Sequence, residues 1–441
     1  MDNKQIKELA EWTLKRVQEE GAQAARVGVS SERFVEIGYR ERKPETIKEA
    51  LTAGMSINFY VDGRFSNQYT SDLRKDALNE FIKNAIKMTR LLDEDPERTL
   101  PDKKYYEKLE DIDLQTYDSA IPEMTPDEKH KMVQIAEDAC LAKGGDKVIS
   151  VEAGFYDSTS ESLVMNTNGF VGESRSSQMY ISVSMTGKDE GDRRPAGYEF
   201  CSVNKKNKML DPVKVGESAA QRTFDTFGAK KIQSEKLPII IENRTSARLL
   251  SMCFQGLYGS GLWQKTSFLL DKKGEQIGSP KFTLTDDPYV IGGMGSRLYD
   301  SDGFKSKKRT IFDAGVLNEY YIDWYYSRKL NLEPTTGFPS NLILPPGTKS
   351  IPELMKDLKR GVLITGFLGG NSNPTTGDFS VGIIGTLFDN GEPVQAIAEM
   401  NIAGNHLTFW KQLVEVGNDP NPYSSWIIPS YVIDDVMVSG V

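Results

Sequence analysis

Apolar positions follow two different spacings over the first 92 residues. Apolar side chains three and four positions apart predict amphipathic helices, and strict alternation predicts half-buried strands. The predicted elements are a helix at 6–17 ending at Gly21, strands at 25–39 and 55–61, a tight hairpin at Asp62-Gly63 and a second helix at 73–86. We therefore predict a first α+β unit over residues 1–92.

The same order of patterns returns after a charged, Pro-spaced segment at 93–127, which we interpret as a linker. Thr125-Pro126-Asp127-Glu128 has the form of a capping box with Pro at the first helical position. The elements predicted after it are a helix ending at Gly144-Gly145, strands at 148–155, 162–166 and 179–185, a hairpin at Asn168-Gly169 and a helix at 213–227. A second α+β unit of similar topology is expected over residues 123–230.

The remaining chain, residues 237–441, has a different pattern. A continuous apolar strand at 237–242 and one helix at 245–258 are followed mainly by short apolar runs separated by turns that contain Gly and Pro. Short helices are expected after Ser350 and near Asn405. We predict an α+β protein with an N-terminal lobe of two α+β units and a β-rich C-terminal lobe.

Charge and cysteine content narrow the class of partner. The 441 residues carry a net charge of -9, which disfavours binding to nucleic acid, and no long apolar run suggests a membrane segment. The amino terminus lacks the apolar core of a signal peptide. The three cysteines, Cys140, Cys201 and Cys253, imply no disulfide framework. We expect a cytoplasmic protein with neither nucleic acid nor membrane as partner.

Side chains that could carry catalysis are scarce. A catalytic zinc needs three protein ligands, and the chain has two histidines, His130 and His406, far apart in sequence. His406 is also the one realistic base for a nucleophile, while Cys253 has the spacing of a packed helix residue. The glycine-rich stretches lack the other residues of a phosphate-binding loop. These patterns predict no metal site in this chain.

Several motifs in fixed order nevertheless resemble the TldD/PmbA family, and specifically its PmbA (TldE) branch. The residues that carry the resemblance are Thr266-Ser267-Phe268-Leu269, Leu284-Thr285-Asp286-Asp287-Pro288, Tyr299-Asp300-Ser301-Asp302-Gly303, Tyr325-Tyr326-Ser327-Arg328-Lys329-Leu330, Thr335-Thr336-Gly337, Thr376-Gly377-Asp378-Phe379-Ser380, Asn401-Ile402-Ala403-Gly404-Asn405 and Val416-Gly417-Asn418-Asp419. The resemblance implies paired subunits that form a zinc-dependent, ATP-independent peptidase acting on peptides and unfolded segments. It also brings the older label, modulator of DNA gyrase.

The resemblance places the zinc-binding helix of the TldD branch, which carries His-Glu-x-x-x-His, on residues 245–258. The positions of the three family residues are then Leu250, Ser251 and Gln255, none of which suits zinc, and no cysteine follows Cys253 as a late ligand. The resemblance thus implies no cofactor in this chain and zinc in a TldD-like partner. If the helix is vestigial, these three positions should face a cavity.

The sequence therefore favours a non-catalytic PmbA/TldE-type subunit that binds extended peptide beside a TldD-like metallopeptidase subunit. Thr376, Gly377, Asp378 and Phe379 are the candidate peptide-binding residues. One alternative is a homo-oligomeric peptide-binding protein, for instance a homodimer, without an enzyme partner. Another is an enzyme with a substituted active site around His406, Asp378 and Ser380.

Overall fold

The computed structural model describes residues 3–440, so Met1, Asp2 and Val441, at the ends of the first and third predicted domains, lie outside the described residues. The N-terminal lobe contains α1 (Asn3–Glu19), β1 (Ala24–Arg40), β2 (Lys43–Val61), β3 (Arg64–Thr70), α2 (Lys75–Thr89), α3 (Pro126–Gly144), β4 (Val148–Asn166), β5 (Val171–Gly187), β6 (Ala196–Val203) and α4 (Pro212–Phe224). The order helix, three strands, helix thus occurs twice.

One six-stranded antiparallel sheet joins both halves of this lobe, in the order β3-β2-β1-β4-β5-β6. Strands β1 and β4 pair at the centre of the sheet. Each belongs to a three-stranded antiparallel meander, β1-β2-β3 in one half and β4-β5-β6 in the other. Helices α1 and α2 cover one half of the sheet, where Ile57 and Phe59 are buried, and α3 and α4 cover the other half, where Phe155 and Ile181 are buried. Alternating residues meet the helices because successive strand side chains point to opposite faces.

The local signals of this lobe have a clear structural basis. Thr125 accepts a hydrogen bond from the Glu128 amide, and the Glu128 side chain accepts one from the Thr125 amide, which confirms the predicted capping box. Asp62 and Gly63 both have positive φ, at 51° and 73°, and connect β2 to β3 as a two-residue turn.

The segment expected to be a linker packs against the C-terminal lobe. Apart from one 3-10 turn at Lys103–Tyr105, it has no helix or strand within residues 90–125. Asp95 accepts a hydrogen bond from the Tyr325 hydroxyl at 2.6 Å, and Lys307 pairs with Glu107 at 2.6 Å. These polar contacts make the segment a strap between the lobes and not a free spacer.

The C-terminal lobe is mostly strands. Its elements are β7 (Glu235–Ile241), α5 (Ala247–Phe254), α6 (Gly259–Gln264), β8 (Leu284–Asp286), β9 (Arg309–Asp313), β10 (Val316–Leu317), α7 (Trp324–Leu330), β11 (Leu342–Ile343), α8 (Ile351–Leu358), β12 (Gly361–Ser372), β13 (Asp378–Asp389), β14 (Glu392–Asn405), α9 (His406–Phe409), β15 (Leu413–Val416), β16 (Trp426–Ile427) and β17 (Tyr431–Ser439). This mixture of helices and strands confirms the predicted α+β class.

The larger sheet of this lobe closes on itself. Its order is β14-β13-β12-β7-β17-β15, and β14 also pairs with β17 through Asn401 with Ser439 and Ile402 with Val438. This pairing turns five of the strands into a barrel, which removes most of the free strand edges. A second sheet of short strands, β10-β9-β8-β11-β16, lies in the same lobe.

Helix α5 is shorter than the sequence indicated. The α-helix ends at Phe254, a 3-10 turn follows at Gln255–Leu257, and α6 begins at Gly259. The buried residues of α5 are Leu249, Leu250, Met252, Cys253 and Phe254. Within residues 3–440, no helix is both long and apolar enough to cross a membrane.

Candidate functional site

Strand β12 loses one of its two neighbours halfway along its length. The parallel strand β7 pairs with it from Val362 to Ile364, and the chain then turns away at Glu242, whose amide donates to the Ile364 carbonyl at 3.0 Å. Beyond this point β12 keeps β13 on one side, while no strand within residues 3–440 pairs with its other side. Residues 365–372 therefore present a free strand edge, which is regular over 366–368 and interrupted by bulges between Ile364 and Gly366 and between Leu368 and Asn371.

The start of α5 lies beside this edge. The exposed Arg248 side chain reaches the Gly369 carbonyl with Nη2 at 3.5 Å. Arg244, Thr245 and Arg248 on one side and residues 365–369 on the other enclose a cavity of about 510 Å³. We refer to this cavity as the α5–β12 groove.

The N-terminal lobe supplies the third wall of the α5–β12 groove. Edge strand β6 contributes its first three residues, Ala196, Gly197 and Tyr198, and Asp225 and Thr226 follow α4. The Tyr198 side chain is 59% exposed, so part of its ring is available for contact, while the Arg244 guanidinium lies 5.3 Å from the ring centroid. The groove therefore lies between the lobes, with strand backbone on two of its sides.

Beneath the groove, four charged side chains cross the boundary between the lobes. Arg222 contacts Glu242 at 2.8 Å and Glu199 at 3.2 Å, and Arg244 contacts Glu199 at 3.1 Å. Burial works against the charge of Arg222, but the bonds to Glu242 and Glu199 raise the pKa of its guanidinium. Burial and the nearby Arg222 lower the pKa of Arg244. These charges neutralise one another and hold the walls in place.

The three positions aligned with the zinc helix do not share one face of a cavity. Leu250 is only 1% exposed and packs in the core, whereas Ser251 and Gln255 are exposed. The expectation that all three face a cavity is wrong for Leu250, because the short α5 turns a wide apolar arc toward the core. The Ser251 hydroxyl donates to the Arg248 carbonyl at 2.7 Å.

These side chains do not fit a zinc ion. Leu250 offers no donor atom, and a hydroxyl or a carboxamide is a poor replacement for the usual His, Cys or carboxylate ligands. In the part of the chain that the structure describes, no three His, Cys, Asp or Glu side chains are grouped so that they could hold a metal.

The four candidate peptide-binding residues lie at the turn that precedes β13 and in the first two residues of that strand, outside the α5–β12 groove. Thr376 and Asp378 are exposed, but Thr376 Oγ1 donates to Asp378 Oδ2 at 2.7 Å, and Asn405 donates to Asp378 Oδ1 at 2.8 Å. These bonds lower the pKa of Asp378. Gly377 and Phe379 are buried, so they cannot contact a peptide directly. The turn therefore fastens the hairpin to the segment before α9.

His406 is fully buried among three aromatic rings, those of Phe268, Phe379 and Trp410. Its ring stacks on Phe379 at 4.9 Å and on Phe268 at 5.4 Å between centroids. Trp410 Nε1 donates to His406 Nδ1 at 3.3 Å, so the neutral ring carries its proton on Nε2, 3.3 Å from the Ser372 hydroxyl. Burial lowers the pKa of His406 to about 4.

The alternative active site around His406 is therefore not assembled. Asp378 binds Thr376 and Asn405, and Ser380 accepts a hydrogen bond from Asn401 at 2.8 Å. Neither side chain bonds to the His406 ring, so Asp378 and Ser380 form no relay with it of the kind that activates a nucleophile.

Sequence reasoning missed Arg248, Tyr198 and Asp225, which line the groove. The sequence contained one weak indication that Arg248 could be functional, since this is the single charged residue of a mainly apolar helix. The other two lie in the N-terminal lobe and meet the groove only through the packing of the lobes.

Comparison with known proteins defines the class of the fold. Residues 119–226 match the PmbA/TldA metallopeptidase central domain, and residues 234–440 match the PmbA/TldA metallopeptidase C-terminal domain. Two metallopeptidase-family domains thus account for most of residues 119–440. The chain belongs to the PmbA/TldD family, as the sequence motifs indicated.

Individual relatives agree over nearly the whole length. The chain is 26% identical to the Metalloprotease PmbA homolog of Haemophilus influenzae, covering 95% of this chain and 92% of that protein. Metalloprotease PmbA of Escherichia coli O157:H7 is 26% identical, with 94% and 92% covered.

Solved structures share the fold. A crystal structure from Bacteroides thetaiotaomicron, under the name modulator of DNA gyrase, has a TM-score of 0.97 and 38% identity, with both chains fully covered. TldE of Thermococcus kodakarensis has a TM-score of 0.88 at 21% identity, covering 98% of this chain and 100% of that one.

Proposed function

We propose that this chain is a non-catalytic, PmbA/TldE-type subunit of a zinc metallopeptidase complex. It holds extended peptide in the α5–β12 groove, while a TldD-like subunit supplies the zinc and the peptide-cleaving chemistry. The observation that carries the proposal is the free edge of β12 beside α5, the helix that aligns with the zinc helix of the TldD branch.

A free strand edge suits a peptide-processing subunit. Backbone N–H and C=O groups of an exposed edge can pair with the backbone of an extended peptide whatever its sequence, so many peptides can be held. The exposed Tyr198 ring and the stem of Arg248 add contact surface beside that edge.

The donor set on α5 explains why the chemistry would lie elsewhere. Leu250 is part of the core, and Ser251 and Gln255 are neutral side chains. These three side chains supply neither a zinc ligand nor a general base, while Arg244, Thr245 and Arg248 line the peptide path. Family membership makes a proteolytic context the natural one for such a path.

A homo-oligomeric peptide-binding protein is the second candidate. Peptide binding would then need no enzyme partner.

Fluorescence anisotropy with a fluorescein-labelled, unstructured ten-residue peptide tests the binding step. The purified chain should bind this peptide, and an analogue N-methylated at every residue should bind at least tenfold more weakly, because neither of its edges can donate to the β12 edge. Equal binding of the two peptides would contradict strand pairing.

A Gly366→Trp substitution should block the groove. A Cβ at Gly366 would meet only Ile384, at 3.8 Å, so the backbone has room for a side chain there. Gly28→Trp is the matched control, since a Cβ at this strand glycine would meet only Val164, also at 3.8 Å, away from the groove. Peptide binding should be lost in the first variant alone.

Native pull-down followed by a peptidase assay separates the two candidate functions. Recovery of a zinc-containing TldD-like chain, with cleavage only in the mixture, supports the subunit proposal. A stable homodimer that binds peptide and recovers no such chain supports the second candidate.

A further inference from the structure

The α5–β12 groove has two ends that can be located along β12. At one end, the Glu242 amide bonds to the Ile364 carbonyl, where β7 leaves the strand. At the other, Arg248 reaches the Gly369 carbonyl. Five residues, 365–369, lie between these points. Bulges between Ile364 and Gly366 and between Leu368 and Asn371 shorten the strand, so at about 3.3 Å per residue these five span at most roughly 16 Å. An extended peptide of about five residues fits this length.

Opposite charges mark the two ends. Arg222 of α4 binds Glu242, and Asp225, three residues after Arg222, also lines the groove, so we place Asp225 toward the Ile364 end. Arg248 lies at the Gly369 end. The exposed carboxylate and the exposed guanidinium thus lie at opposite ends of the groove.

Neither of these two charges is neutralised by a side chain. Asp225 accepts from the neutral Gln221 amide at 2.8 Å, and the contact of Arg248 is a backbone carbonyl. No ion pair forms at either residue within residues 3–440, whereas Arg222 and Arg244 are paired with glutamates. Both Asp225 and Arg248 can therefore bind charges on a ligand.

The charges select one direction for the peptide. A peptide parallel to β12 would continue the position that β7 vacates, and its amino end would lie by Asp225 and its carboxyl end by Arg248. The antiparallel direction would place each terminus against a like charge, which is repulsive.

We propose that the α5–β12 groove binds short peptides with free termini, parallel to β12, with the terminal ammonium at Asp225 and the terminal carboxylate at Arg248. This inference rests on the proposed peptide-binding function and narrows the ligand to fragments of about five residues. Such fragments are the products of proteolysis, so the groove distinguishes them from internal segments of longer chains.

Four forms of one pentapeptide test the inference: free, N-acetylated, C-amidated and blocked at both ends. The probe is Ala-Val-Lys-Val-Ala with fluorescein on the lysine side chain, so that the label leaves both termini unmodified. With the unmodified protein, each block should raise the Kd about two- to fivefold, the range of an exposed ion pair.

Two variants assign the ends. In Arg248→Gln the effect of C-amidation should disappear while that of acetylation remains, and in Asp225→Asn the reverse should hold. Arg360→Gln and Asp138→Asn, at charged residues outside the groove, should keep both effects.

The outcomes distinguish recognition of the peptide termini from peptide binding itself. If all four peptides bind equally, or if Asp225→Asn removes the effect of amidation, recognition of the termini is overturned while peptide binding stands. If even the fully blocked peptide and the ten-residue peptide fail to bind, the peptide-binding function itself is wrong.

Discussion

The guanidinium of Arg222 forms two parallel hydrogen bonds with the carboxylate of Glu242, at 2.8 and 3.1 Å. Arg222 lies in the last turn of α4 in the N-terminal lobe, and Glu242 follows β7 in the C-terminal lobe. Both side chains are largely buried, at 22% and 15% exposure, where a bidentate pair is more stabilising than at the surface. This pair therefore fixes the two lobes across the floor of the groove.

Arg222→Ala should lower the free energy of unfolding by about 2–4 kcal/mol, because it leaves Glu242 and Glu199 partly buried without their partner. Urea denaturation measures the change. Arg360→Ala is the control, since Arg360 pairs with Glu235 at 3.0 Å on the surface, and should cost less than about 1 kcal/mol. Equal losses in both variants would contradict the structural role assigned to Arg222.

Leu250→Ala should lower the free energy of unfolding by about 2–5 kcal/mol, because it opens a cavity in the core of the C-terminal lobe. Ser251→Ala, one residue further on the exposed face, should change it by less than about 0.5 kcal/mol. Thermal or urea unfolding of the pair tests the position of α5. A small effect at Leu250 would indicate that this side chain faces an open cleft.

The purified chain should contain no stoichiometric zinc, and rebuilding the family motif should not change that. In Leu250→His/Ser251→Glu/Gln255→His, the first substitution places an imidazole in an apolar core, and the third lies in a 3-10 turn and not in the α-helix. Elemental analysis after dialysis should find far less than one zinc per chain. One chelator-removable zinc in the unmodified chain would contradict this prediction.

Local signals in the sequence predicted much of the fold but little of the groove. The capping box at Thr125 and the Asp62-Gly63 turn could be located because the residues that form them are neighbours in sequence. The closure of the barrel by β14 and β17 joins residues such as Ile402 and Val438, which are distant in sequence. Nothing in the sequence of either strand identifies the strand it pairs with.

The groove escaped sequence reasoning for the same reason. It forms where β7 stops beside β12 and where two lobes meet, so Tyr198 and Arg248 come together only through tertiary packing. The direction of Leu250 was misjudged because a helix of eight residues with five buried positions has no narrow apolar stripe.

The last prediction concerns His406, whose pKa is lowered by burial to about 4, from an ordinary value of 6.5. Above pH 6.5 the ring is neutral in both the folded and the unfolded chain, so protonation of His406 does not lower the free energy of unfolding there. Between pH 6.5 and about 4 the unfolded chain binds a proton that the folded chain does not, so stability falls as the pH falls. The expected loss is about 3 kcal/mol, and it levels off below pH 4.

Urea denaturation at several pH values, compared between the unmodified chain and His406→Gln, isolates this contribution from that of the carboxylates. Glutamine can still bond to Ser372 or Trp410 but cannot take up a proton. The unfolding free energy of the unmodified chain minus that of His406→Gln should therefore fall by about 3 kcal/mol from pH 7 to pH 4. His130→Gln is the control, because it leaves His406 in place and should keep the full loss. A constant difference between the unmodified chain and His406→Gln across this range would mean that the folded protein admits the proton and that the ring is not sealed between Phe268 and Phe379.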